Sequence, residues 1–130
     1  MDYDPSRDPD PLVWQRTPDA DRVAAVERAH QPHPRRHPPI ANLRLHAAVH
    51  VTVESQLASD SPPEVRRTLS RLMRAGLSRH EALHAVGEVA AEALARVVQQ
   101  RQPFDAEAYA RALAAVDPTT LPRGADNDEG

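Results

Sequence analysis

The chain has 130 residues, a formal net charge of −3 and no cysteine. This size allows one domain with tails, and the missing cysteine excludes disulfides, thiolate metal sites and cysteine nucleophiles. The negative charge and an aromatic content of 3% argue against nucleic acid as a partner. Without a signal peptide or a run of about 18 apolar residues, we expect no membrane partner and a cytoplasmic protein.

The chain is predicted to be all-α, because no period-2 strand pattern occurs in it. Residues 1–16 are acidic and rich in proline, so we expect disorder there, with Trp14 as an anchor on the core. The domain spans 17–116, and the polar tail 117–130 is expected to be disordered. Capping residues and apolar spacing predict five helices in the domain, at about 18–30, 40–58, 62–76, 79–101 and 106–116.

The predicted fold is therefore a small helical bundle of four to five helices, arranged as two helical hairpins with disordered termini. Each hairpin opens with the same motif, which suggests an internal duplication. Because the connections are short, the helices at 40–58 and 79–101 are expected to run roughly parallel, with the helix between them returning.

The repeated motif is His-x3-His-x3-Glu. Its members are His46, His50, Glu54, His80, His84 and Glu88. Residues four apart share one face of a helix, and at 100° per residue both triads lie within the apolar stripe. Buried ionisable groups are costly unless something satisfies them, and a bound cation would do so. The six residues are therefore predicted to be metal ligands that converge on one buried centre.

Imidazole and carboxylate ligands suit a divalent metal such as zinc, iron or manganese, and also copper(II). Six ligands exceed the need of one tetrahedral zinc, so a dinuclear site or one six-coordinate ion fits better. Gly87 and Ala91 leave room for the ion. His33 and His37 share the four-residue spacing, but the prolines around them forbid a regular helix. They are either additional ligands on a loop or part of a solvated connector.

Two alternatives stay open at this stage. His80-Glu81-Ala82-Leu83-His84 matches the H-E-x-x-H motif of zinc hydrolases, in which Glu81 would be the general base. Glu81 is otherwise explained as an acid that the helix dipole favours in the first turn. The second alternative is a non-catalytic interaction or regulatory bundle, in which the His and Glu side chains bond to one another. The residues themselves leave both enzymatic activity and oligomeric state open.

The segment from Leu43 to Leu113 resembles a bacterial family described as a domain of unknown function, number eighteen forty-one. The similarity lies in the two His motifs, in the segment from Asp60 to Val65, and in Pro103-Phe104-Asp105 with Tyr109. The His33-Pro34-x-x-His37 segment is also similar to the family. The resemblance implies no particular activity.

Overall fold

The computed structural model describes residues 1–30 and 43–121, where it contains six α-helices and no strand. The all-α prediction is confirmed. A 3₁₀ turn, Pro118–Thr120, follows the last α-helix. The helices are α1 (Pro11–Arg16), α2 (Asp19–His30), α3 (Leu43–Ser59), α4 (Pro63–Arg74), α5 (Arg79–Gln100) and α6 (Ala106–Ala114). None of the helices in this part of the chain combines the length and the apolar character needed to cross a bilayer.

The N-terminal segment packs on the bundle, which differs from the predicted disorder of residues 1–16. Asp10 caps α1 by accepting hydrogen bonds from the backbone N–H groups of Leu12 and Val13. Trp14 is completely buried, and its indole N–H donates to the Ser55 hydroxyl of α3 over 3.0 Å. Tyr3 is buried beside it, with ring centroids 5.9 Å apart. The prediction that Trp14 anchors this segment on the core is thus confirmed. Tyr3 supplies further apolar surface that an acidic, proline-rich composition did not predict.

The helix α3 contributes to both apolar clusters of the bundle. Val53 and Leu57 belong to the larger cluster, which also contains residues of α4, α5 and α6. Ala47 and Val51 belong to the smaller one, formed with Tyr3, Trp14 and residues of α2. Because α3 is packed on both sides, its His side chains are held between α2 and α5.

The helices α3 and α5 run in opposite senses, so the prediction that they are roughly parallel is wrong. Near the start of α3, the ring of His46 lies 5.0 Å from the ring of His84. Two turns further on, Glu54 pairs with Arg79, the first residue of α5. Short connections limit the distance between helix ends but do not fix the crossing angle. The helix α4, which connects them, packs on α6 as well as on α3 and α5.

Gly87 allows α5 to approach α3 closely. A Cβ atom at this position would lie 2.9 Å from Cγ1 of Val49, whereas carbon atoms in contact are about 3.5–4.0 Å apart. Gly87 therefore makes room for the neighbouring helix, and not for an ion as the sequence suggested.

We expect Gly87→Ala to destabilise the protein, because the new methyl group must displace Val49 at a cost of about 1–3 kcal/mol. In a Val49→Ala background the same substitution should be neutral or stabilising, since alanine gains about 1 kcal/mol in helix propensity. Urea unfolding of the four proteins of this cycle measures both effects. Equal changes in the two backgrounds would show that the close approach is not what requires glycine.

Candidate metal centre

Four imidazoles from three helices meet in the interior of the bundle. They belong to His30 at the end of α2, His46 and His50 on α3, and His84 on α5. Each offers a ring nitrogen, and these four atoms all lie within 4.8 Å of one another. The Nε2 atoms of all four are buried. The sequence predicted three of these residues, and their convergence follows from the placement of both His motifs on apolar faces.

His30 is the member that the sequence analysis missed. It follows Val23 and Val26 at the helical spacing i, i+3, i+7, which places it on the inner face of α2. Val26 is completely buried and His30 is 6% exposed. This spacing is a usable signal, although His30 is also the last residue of the helix predicted at about 18–30.

His80 lies beside the group of four. Its ring centroid is 4.3 Å from that of His84, and 5.3 Å from those of His30 and His50. His80 is therefore a neighbour of the group of four and not one of its members. His33 and His37 lie outside the described residues.

Hydrogen bonds orient two of the clustered rings. In His30, Nδ1 lies 2.8 Å from the Val26 carbonyl oxygen, which can only accept, so Nδ1 carries the proton and Nε2 has the lone pair. In His50, Nδ1 lies 3.2 Å from the Tyr3 hydroxyl. The buried Nε2 of His50 has no hydrogen-bond partner among residues 1–30 and 43–121. In both His30 and His50, Nε2 therefore points away from the group that Nδ1 contacts.

The surroundings favour neutral imidazoles. Burial lowers the pKa of His46 to about 4, with a further contribution from the charge of His30. Burial, followed by repulsion from the other imidazoles, holds the pKa of His50 well below its usual value. Burial also lowers the pKa of His30, against the opposing effect of its bond to Val26. Neutral imidazole is the form that binds a metal.

The structure places Glu54 in an ion pair and not among the four imidazoles. Its carboxylate accepts hydrogen bonds from both terminal nitrogens of Arg79, at 2.8 and 2.9 Å, and both side chains are almost completely buried. Its Oε2 also accepts from the Tyr3 hydroxyl over 2.5 Å. Asp8 and the Pro5 carbonyl oxygen bind the rest of the guanidinium. Burial alone would lower the pKa of Arg79, but the bonds and charge of Glu54 raise it.

The other two glutamates of the motifs also lie apart from the cluster. Glu88 is exposed on α5. The carboxylate of Glu81 accepts from the backbone N–H of Ser78 over 2.8 Å, and the Ser78 hydroxyl accepts from the N–H of Glu81 in return. This reciprocal capping box starts α5. It explains a glutamate at position 81 without a catalytic role.

The sequence analysis also missed Tyr3, Asp8 and Arg79, which surround Glu54. Arg79 directly precedes His80, and its position next to a buried carboxylate could have been inferred only from an antiparallel pairing of α3 and α5. Tyr3 and Asp8 lie in the segment that was expected to be disordered.

Fold and site together define an all-α protein with a buried cluster of histidines. The profile of the family Domain of unknown function (DUF1841) matches residues 15–115, so the chain belongs to this family. The match contains every helix from α2 to α6 and all the clustered histidines. Comparison with curated proteins and with solved structures gave no match.

Removing Arg79 should destabilise the protein strongly. Arg79→Ala leaves the Glu54 carboxylate buried without its counter-ion, which costs about 3–5 kcal/mol. The matched control is Arg96→Ala, since Arg96 forms an exposed pair with Glu92 at 2.9 Å on the same helix. That pair should contribute at most about 0.5 kcal/mol. Urea unfolding in the presence of a chelator compares them, and similar losses would contradict the importance of the buried pair.

The metal-free protein should lose stability on acidification. The unfolded chain has ordinary histidines that gain protons near pH 6.5, whereas folded His46 gains its proton only near pH 4. Between these values the unfolded state binds more protons, so the free energy of unfolding falls as the pH falls. Unfolding at pH 7.5, 6 and 5 with chelator measures the slope, which His46→Gln should reduce. A flat profile over this interval would contradict the lowered pKa values.

Proposed function

We propose that this protein binds a divalent transition-metal ion through the imidazoles of His30, His46, His50 and His84. The observation that carries the proposal is the mutual approach of four ring nitrogens, all within 4.8 Å, in the interior of the bundle. If these side chains only filled the apolar core, there would be no reason for four ring nitrogens from three helices to meet at one point. His80, beside the group, is a further candidate ligand.

The spacing fits one ion after small side-chain adjustments. With metal–nitrogen bonds of about 2.0–2.1 Å, the ligand atoms of a tetrahedral site lie about 3.4 Å apart. The widest separation here is about 1.4 Å larger, and rotation of the imidazole rings can close that gap. The bonds of His30 to Val26 and of His50 to Tyr3 leave the Nε2 atoms of these two residues to bind the ion.

The ligand set favours particular metals. Neutral imidazoles suit zinc, iron, copper(II) and nickel, whereas manganese prefers oxygen ligands. Glu54 is bound to Arg79 and Glu88 is exposed, so the mixed dinuclear centre expected from the sequence has less support than one ion with nitrogen ligands. Four protein ligands without an open position are typical of structural zinc sites. We therefore infer that the ion stabilises the fold or is itself the cargo.

The hydrolase alternative has weaker support. It needs the Glu81 carboxylate as a general base, and this group instead caps α5 through Ser78. In the other alternative, a non-catalytic interaction bundle without metal, the imidazoles would only pack against one another. The experiment below distinguishes this alternative from metal binding.

Metal binding can be tested by elemental analysis of protein purified without an affinity tag, followed by zinc titration against a chromophoric competitor. We expect one ion per chain. We also expect His84→Ala to lower the affinity by more than the roughly 10–100-fold that loss of an outer-shell partner typically costs, because it removes a ligand itself. The control Glu88→Ala should bind zinc as the wild type does. A loss in Glu88→Ala would instead favour the six-ligand site that the sequence predicted.

Bound metal should also stabilise the fold. At a hundredfold excess over Kd, an ion that binds only the folded state contributes about 2.7 kcal/mol. The melting temperature should therefore fall when a chelator is added to the wild type, but not when it is added to the double variant His50→Ala/His84→Ala. An unchanged melting curve for wild type shown to be metal-free would favour the interaction bundle.

A further inference from the structure

We propose that Tyr3 is a positioning residue for the metal centre, because its hydroxyl holds His50 in the tautomer that turns the Nε2 lone pair toward the ion. This inference rests on the proposed function. It connects the N-terminal segment to a site whose ligands all come from helices of the bundle.

The number of protons on the Tyr3 hydroxyl determines the tautomer. The hydroxyl has one proton, which it donates to Glu54 Oε2 over 2.5 Å. A carboxylate that already accepts two hydrogen bonds from Arg79 can only accept. The Tyr3 oxygen must then act as acceptor toward His50, 3.2 Å away. His50 therefore carries its proton on Nδ1, and Nε2 is left with the lone pair.

The Tyr3 hydroxyl is itself held in place. Glu54 is fixed by Arg79, and the guanidinium is bound in turn by Asp8 and by the Pro5 carbonyl oxygen. The N-terminal segment therefore touches both ends of the relay from Arg79 to His50. The Tyr3 ring is buried against Trp14, which limits its movement. Hydrogen bonds that orient a ligating histidine typically change metal affinity by about 10–100-fold.

The test compares Tyr3→Phe with Tyr109→Phe. Tyr109 is also buried, and its hydroxyl donates to Gln56 over 3.0 Å, within the other apolar cluster. Both variants lose one buried hydroxyl and keep the ring. We expect Tyr3→Phe to bind zinc about 10–100-fold more weakly than the wild type, and Tyr109→Phe to bind it equally well. Circular dichroism and melting temperatures show that both are folded.

A second measurement does not depend on metal. Nitrogen-15 NMR of the metal-free wild type should show His50 protonated on Nδ1, and this preference should weaken in Tyr3→Phe. The inference is overturned if the wild type has the proton on Nε2, or if both tyrosine variants bind zinc as the wild type does. In the latter case metal binding itself stands. If the wild type binds no metal, the proposed function fails first, and the role of Tyr3 in positioning a ligand fails with it.

Discussion

The buried ion pair between Glu54 and Arg79 is the constraint on which the rest of the structure depends. Neither charge could be buried alone, since an isolated ion in the interior costs several kcal/mol. The pair therefore fixes the first turn of α5 against the middle of α3. Through Asp8 and Pro5 it also draws in the N-terminal segment. Once these elements are fixed, His50 and His46, which lie one and two turns before Glu54 on α3, face His80 and His84 of α5.

This pair also determines the chemistry available at the centre. A carboxylate among the imidazoles would lower the positive charge of a metal site and favour metals that prefer oxygen. Glu54 is kept from that role because its oxygens are bound by Arg79 and Tyr3. It acts on the centre indirectly, by orienting the tyrosine that bonds to His50. The result is a cluster of imidazoles without a carboxylate among them, and burial lowers the pKa of His46 and of His50.

The sequence predicted the helices and the inward direction of four histidines, because both depend on local periodicity. Apolar residues at helical spacing place His46 and His50 on the core side of α3 whatever the neighbouring helices do. His30 obeys the same rule and could have been found. Tyr3 and Arg79 could not, because their roles depend on contacts between residues far apart in the chain. The sequence also predicted Trp14 as an anchor of the N-terminal segment, but not that Tyr3 packs beside it in the same apolar cluster.

The direction of the helices explains why the two copies of the motif play different roles. If α3 and α5 were parallel, Glu54 and Glu88 would lie at the same end of the cluster and could share an ion. The helices are antiparallel, so Glu54 and Glu88, which each follow a His pair, lie at opposite ends of the cluster. Glu54 meets Arg79 in the interior, whereas Glu88 lies on the surface. The repeat in the sequence thus brings together three of its four histidines, His46, His50 and His84, with His80 beside them.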